Sequence, residues 1–285
     1  MTTLYESAYA KINLTLDVLG KRPDGFHELE TVMQSLSLRD EIQLDVGTGA
    51  EWSLSCEKPG VPCDRRNLAW KAALAFEQAL GKTLGGLAIR MEKQIPSEAG
   101  MGGGSSDAAA VLRALNRHFG QPFSPMELAA IGAEVGSDVP FCVVGGTCMC
   151  TGRGETLRPL PPLPDCEILI CKPDFGVSTP ALYRAIDETE ICRRPDQTAM
   201  EQALSRGALG EIGSQVCNVF DPLVSARHPE IRQIRSVMDA CGAMASQMTG
   251  SGSAVFALMP DAQSAERAFR QLSEEFAVVY RCRPV

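Results

Sequence analysis

Residues 96–110 read PSEAGMGGGSSDAAA, and these are residue types suited to holding a phosphate. Gly100, Gly102, Gly103 and Gly104 let the backbone approach a ligand and take up positive φ. Ser105 and Ser106 add two hydroxyls that can bond phosphate oxygens or a magnesium ion. Common nucleotide loops fit poorly. A Walker A loop ends in Gly-Lys-Ser/Thr, whereas Gly104 is followed by Ser105; the dinucleotide fingerprint needs a third glycine where Ser105 stands. Elsewhere, Lys11 and Asn13 lie two apart and share one face of a strand. Phe26 and His27 follow the turn residues Pro23, Asp24 and Gly25. Asp138 stands in SDVPF and Tyr183 in STPALYRAID. On spacing alone the first three of these also read as a solvated strand face, a packed Phe beside an exposed His and a turn aspartate.

The elements around the glycine loop are readable. Leu87, Ile89 and Met91 alternate with small or charged residues, which predicts a strand. Ala109, Leu112, Leu115 and Phe119 recur at helical spacing, so a helix begins near Ser105 or Ser106. A helix start offers unpaired N–H groups and the positive end of the macrodipole, where a phosphate is held by several donors. A linker rarely sits between a patterned strand and an alanine-rich helix. Asn67 opens an amphipathic helix closed by Gly81, and Ser124 with Pro125 opens another ending at Gly136. Pro140 predicts an extended Val139, with Gly145 and Gly146 breaking the next strand. Cys148 and Cys150 share one strand face as small buried hydrophobes. Residues 4–19 and 36–56 read as strands, 196–226 as helical, and the remainder alternates strand and helix. Four prolines in residues 159–165 mark a domain boundary.

With 285 residues, 45% hydrophobic and 22% charged, the chain has the composition of a soluble globular protein of one large or two smaller domains. A net charge of −8 argues against nucleic-acid or anionic-membrane binding, though not against a nucleotide held in a local pocket. No signal peptide and no run as long as a membrane span is visible. Eleven cysteines without CxxC, and three histidines, argue against zinc and suggest reduced thiols in the cytoplasm. Pattern alone supports α/β or α+β with two domains.

The loop PSEAGMGGGSSDAA resembles the ATP loop of the GHMP kinases, and its GGGSSDAA ending is similar to the 4-diphosphocytidyl-2-C-methyl-D-erythritol kinase branch. AKINLTL, GKRPDGFHELET, NLAWKAA, GSDVPFCVVGG and TGSGS resemble further motifs of that branch, in family order over nearly the whole chain. The resemblance implies a GHMP kinase fold, with an ATP-binding domain over 1–158, a ferredoxin-like domain over 159–285 and the active site in the cleft between them. It implies that Lys11 and Asp138 are catalytic. ATP would lie on Pro96, Ser97, Glu98, Ala99, Gly100, Met101, Gly102, Gly103, Gly104, Ser105 and Ser106, with Asn67 nearby and Mg on Ser105 or Ser106. The acceptor, a cytidine diphosphate-linked sugar alcohol, would meet Asn13, Phe26, His27 and Tyr183. His27 would hydrogen-bond the cytosine, and the rings of Phe26 and Tyr183 would sandwich it. Phe26 stands where the family often has Tyr, so a bond from that hydroxyl is lost.

The reaction expected is ATP-dependent phosphorylation of the acceptor's 2-hydroxyl, in the non-mevalonate route to isoprenoids, by a monomer or weak homodimer. Two other readings stand beside it: a mevalonate- or homoserine-type GHMP kinase, and a non-catalytic nucleotide-binding protein on the same scaffold. The first lacks a base to stack on His27, Phe26 and Tyr183; the second leaves Lys11 and Asp138 without a purpose. Glu98 departs from the pattern, since an acid inside a phosphate loop is unfavourable unless it points away or meets magnesium.

Overall fold

The computed structural model describes residues 1–49 and 51–285. Two long strands open the chain, β1 (Thr2–Lys21) and β2 (His27–Val46). There follow β3 (Ser53–Cys56), α1 (Leu68–Leu80), β4 (Leu87–Glu92), α2 (Gly103–His118), α3 (Pro125–Ala133), α4 (Val139–Val144), β5 (Thr147–Gly152) and β6 (Thr156–Pro159). The remainder is β7 (Glu167–Lys172), α5 (Thr179–Asp187), α6 (Gln197–Arg206), α7 (Leu209–Gln215), β8 (Cys217–Asn218), α8 (Asp221–Ser225), α9 (Pro229–Ala240), β9 (Ala245–Met248), β10 (Val255–Met259), α10 (Ala262–Ser273) and β11 (Val278–Cys282). Among the described residues no helix is long and apolar enough to cross a membrane.

The chain divides into two compact units, neither of them continuous in sequence. One comprises Met1–Ala10, Arg39–Ile95 and Gly102–Gly145; the other comprises Lys11–Leu38, Pro96–Met101 and Gly146–Val285. In the first, β4 pairs antiparallel with the end of β2 (Leu44 opposite Ile89) and parallel with β3 (Leu54 opposite Ile89). Leu87, Ile89 and Met91 alternate inward as the sequence predicts. Asn67 caps α1 through its side chain, which accepts from Ala69 N at 2.9 Å, and Gly81 closes that helix at φ +67°. Ser124 and Glu127 form a capping box on α3, with Pro125 at the first turn. That helix ends at Ala133, short of Gly136.

Two local expectations are corrected. Val139 opens α4 rather than lying extended, and Gly145 ends a helix rather than breaking a strand. Proline is tolerated in a first helical turn because the N–H it lacks would be unpaired there anyway. The helix after the glycine loop also starts earlier than expected, at Gly103.

In the second unit, β8 runs parallel to β1 (Thr15 opposite Cys217), interrupting the helical stretch expected over 196–226. β5 pairs antiparallel with the start of β2 (Met33 opposite Cys148), and β6 pairs with β5. A separate four-stranded antiparallel sheet has the order β11-β7-β10-β9. Numbered by their order in the chain these strands read 4-1-3-2, the ferredoxin-like arrangement. Leu169, Ile231, Ile234, Val255, Ala257, Ala265 and Ala268 belong to its fully buried core.

Within this unit residues 249–254 lie directly against the 96–101 segment. Gly100 has φ +71°, and a Cβ there would stand 2.2 Å from the Thr249 carbonyl oxygen. Gly100→Ala is therefore expected to lower stability by at least about 2 kcal/mol, since positive-φ strain and overpacking against fixed backbone add. Urea unfolding measures this, and an unchanged midpoint would contradict the close approach.

Candidate active site

The sequence-predicted phosphate loop is divided between the units. Pro96–Met101 belongs to the second; Gly102 and α2 belong to the first. Gly102 occupies the N-cap of α2 in the left-handed region and makes no side-chain cap bond. A side chain there would compete for the first-turn N–H groups; glycine leaves them to a ligand. The two serines differ. Ser106 is buried, and its hydroxyl donates to Tyr9 O at 2.6 Å. Ser105 is only partly buried. On the other side of the loop, Ser253 N and Ala254 N donate to Glu98 O and Ala99 O, each at 3.3 Å. Glu98 holds φ +52°, and its carboxylate lies against Gly176, where a Cβ would meet Oε2 at 2.1 Å.

Beneath the start of α2 sits a charge cluster. Lys93, at the end of β4, donates to Asp40 and to Asp107 Oδ2, the latter at 2.6 Å, with all three side chains at most 5% exposed. Asp40 Oδ1 also accepts from Gln94 N at 2.5 Å and Ile95 N at 2.8 Å. Burial works against the Lys93 ammonium, but Asp107 and Asp40 outweigh it and raise its pKa. Burial is also the main influence on Asp107, pushing its carboxyl up to about 7; Lys93 opposes this and Asp40 reinforces it. Asp107 Oδ1 has no hydrogen-bond partner among the described residues.

In the second unit, Lys11 and Asn13 are buried, not solvated. Lys11 Nζ donates to Asn13 Oδ1 at 2.7 Å, and Asn13 Nδ2 donates to Thr31 Oγ1 at 2.8 Å. Thr31 passes the chain on to Thr15 O, and Thr249 Oγ1 accepts from Asn13 N at 3.0 Å. This network orients a lysine that has little freedom left. Asp138 belongs to the first unit, at the N-cap of α4, with φ −86° and ψ −10° and no side-chain cap bond.

His27 begins β2, and its Nε2 lies 2.8 Å from Asp187 Oδ1, at the end of α5. Tyr183 stacks on the His27 ring at 4.8 Å between centroids, and its own ring meets Phe220 edge-on. Phe26 is 51% exposed, with the Arg153 guanidinium 4.8 Å above it. The structure thus joins Tyr183 to His27 rather than to Phe26. Asn67 spends both ends of its amide locally, accepting from Ala69 N and donating to Pro62 O at 2.8 Å.

Sequence reasoning missed Lys93 and Asp40; Thr31, Thr249 and Asp187 stood within GKRPDGFHELET, TGSGS and STPALYRAID without a role assigned to them. Asp107 was in view within GGGSSDAA, but its lysine partner was not.

The Asp107 carboxyl titrates near 7 in the fold and near 4 in an unfolded chain. Between those values the folded protein binds the extra proton, so this group's contribution falls as pH rises from about 4 to 7. Asp107→Asn removes that slope. Relative to the wild type, the variant is expected to gain a few kcal/mol on going from pH 5 to pH 8, each tenfold difference in proton affinity counting for about 1.4 kcal/mol. Urea unfolding at the two pH values reads the difference; a pH-independent difference would count against a raised Asp107.

The family described as GHMP kinases N terminal domain matches residues 67–146, and that described as GHMP kinases C terminal matches residues 200–278. A 4-diphosphocytidyl-2-C-methyl-D-erythritol kinase of Caldicellulosiruptor saccharolyticus is 42% identical, over 93% of this chain and 91% of the relative. One from Exiguobacterium sibiricum is 43% identical over 95% and 94%. The crystal structure of a 4-(cytidine 5'-diphospho)-2C-methyl-D-erythritol kinase superposes with a TM-score of 0.82 at 34% identity, covering 98% of each chain. Homoserine kinase from Cytophaga hutchinsonii, at 18% identity and a TM-score of 0.77, shares the fold alone. A glycine-capped helix start, two family domains in order and full-length kinship at this identity place the chain in the GHMP kinases, ATP-dependent small-molecule kinases, and within them in the 4-diphosphocytidyl-2-C-methyl-D-erythritol kinase family.

Proposed function

We propose that this protein transfers the γ-phosphoryl group of ATP to the 2-hydroxyl of 4-diphosphocytidyl-2-C-methyl-D-erythritol, giving the 2-phosphate in the non-mevalonate route to isoprenoids. The observation that carries the reading is kinship with kinases of that name over more than nine-tenths of both chains. In sequence terms, 1–158 is the ATP-binding domain and 159–285 the ferredoxin-like domain. The eleven cysteines, all unpaired, fit a reducing cytoplasm. A monomer or weak homodimer is the working assembly.

The ATP phosphates lie on residues 96–106, where Gly102 leaves the N–H groups of Gly103, Gly104 and Ser105 free to donate to them. Asn67 contributes by fixing the start of α1. The acceptor oxygen attacks the γ-phosphorus, the bond to the β–γ bridging oxygen breaks, and ADP leaves with that electron pair. Asp138 takes the hydroxyl proton as general base. Lys11, oriented by Asn13, balances the charge developing on the acceptor oxygen. A loose phosphoryl transition state asks chiefly for this positioning and charge.

The partly buried Ser105 hydroxyl on the first turn of α2 is an oxygen donor of the kind a magnesium ion would take. Ser105 would hold it, because Ser106 is buried with its hydroxyl turned to Tyr9 O. When bound, magnesium compensates the phosphate charge. The cytosine is read by His27 and stacked by Phe26 and Tyr183.

A coupled ADP-release assay with diphosphocytidyl-methylerythritol, mevalonate, homoserine and galactose tests the acceptor. Turnover confined to the cytidine compound is expected; preference for another acceptor would refute the assignment. Asp138→Asn is expected to fold and to lose on the order of 100-fold or more in turnover. Near-wild-type turnover would remove Asp138 from the chemistry. Ser105→Ala is expected to raise KM for Mg-ATP several-fold with little change in stability, whereas Ser106→Ala lowers the thermal midpoint. Equal effects on KM would mean that the hydroxyls are not distinguished in this way.

A further inference from the structure

His27 is held by two residues of one helix. Tyr183 and Asp187 are four apart on α5 and so share a face. Tyr183 covers the ring, and Asp187 Oδ1 takes its edge at Nε2, 2.8 Å away. An ionised carboxylate only accepts hydrogen bonds, so the proton between these atoms belongs to Nε2. Neutral imidazole carries one N–H, which leaves Nδ1 with its lone pair. Nδ1 has no hydrogen-bond partner among the described residues.

We infer that Asp187 is a specificity-determining positioning residue: by fixing the Nε2–H tautomer of His27 it makes Nδ1 an acceptor, which selects the exocyclic amine of cytosine over the carbonyl of uracil. This rests on the cytidine reading proposed above. The N4 amine of cytosine is a donor, and uracil carries a carbonyl acceptor at the same position. An acceptor facing the amine forms a hydrogen bond; facing the carbonyl, it sets two lone pairs against each other. Stacking on Phe26 or Tyr183 cannot make this distinction, since either base presents a π-face. Without Asp187 the imidazole is free to move its proton to Nδ1 and donate to uracil instead.

Two measurements on the full-length enzyme test this. The first is the cytidine-to-uridine ratio of kcat/KM, using the natural acceptor and its uridine diphosphate counterpart, for wild type, Asp187→Ala and His27→Ala. Asp187→Ala is expected to lower the ratio about tenfold or more, through loss on cytidine and gain on uridine, with KM for Mg-ATP unchanged. His27→Ala is expected to lower the ratio by losing cytidine activity without the gain on uridine. The second is a two-bond proton–nitrogen correlation spectrum, with the three histidines assigned by substitution. Wild-type His27 is expected to show a protonated Nε2 and a bare Nδ1, and Asp187→Ala a mixture of tautomers. A wild-type His27 protonated at Nδ1, or an unchanged ratio in Asp187→Ala, would overturn the inference. A wild type with no preference for the cytidine acceptor would instead refute the cytidine reading, while the spectrum still decides whether Asp187 fixes the tautomer.

Discussion

A single buried ammonium constrains how the start of α2 is built. Lys93 joins Asp40 of β2 to Asp107 of α2, and Asp40 in turn accepts the backbone N–H groups of Gln94 and Ile95. Three separate pieces of chain are thereby fixed where β4 ends and the glycine loop begins. Burial does most to raise the Asp107 carboxyl, and the excess of negative charge from two carboxylates around one ammonium adds to it. That excess sits beside the first turns of α2, whose opening N–H groups have no side-chain cap. Any neutralisation of Asp107 therefore also makes that helix start a better place for a phosphate.

The glycines divide the rest of the task. Gly102 has no side chain to cap α2, so the helix dipole and its N–H groups remain available. Gly100 serves packing instead, letting the 249–254 turn come into backbone contact. The same turn carries Thr249, whose hydroxyl supports Asn13 and through it Lys11. Substituting Thr249 in TGSGS thus acts on the orientation of the Lys11 ammonium. Glu98, which reads as a liability inside a phosphate loop, is parked on Gly176.

Much of this was legible in the sequence because its causes are local. Alternation exposes β4, and Asn67, Gly81 and Ser124 with Pro125 mark helix ends by chemistry acting within a few residues. The family resemblance supplied the order of motifs and the fold. What escaped has causes distant along the chain. Lys93 and Asp40 are 53 positions apart, His27 and Asp187 are 160 apart, and no periodicity links them. Lys11 and Asn13 read as solvated because strand spacing says which residues share a face and not whether that face is covered. Val139 misled for another reason: the proline after it was given more weight than a first-turn position warrants.

The interleaving of the two compact units has a consequence for synthesis. The chain passes from one unit to the other after Ala10, Leu38, Ile95, Met101 and Gly145. A nascent chain emerging from the ribosome completes neither unit by its first hundred residues. β1 waits for β8, some two hundred positions later, and Asn13 waits for Thr249. Closing such loops costs entropy before any contact repays it, so this topology favours late, concerted folding over domain-by-domain folding. Until the C-terminal third arrives, the half of β1 that carries Lys11 has an unpaired edge in need of protection from other chains.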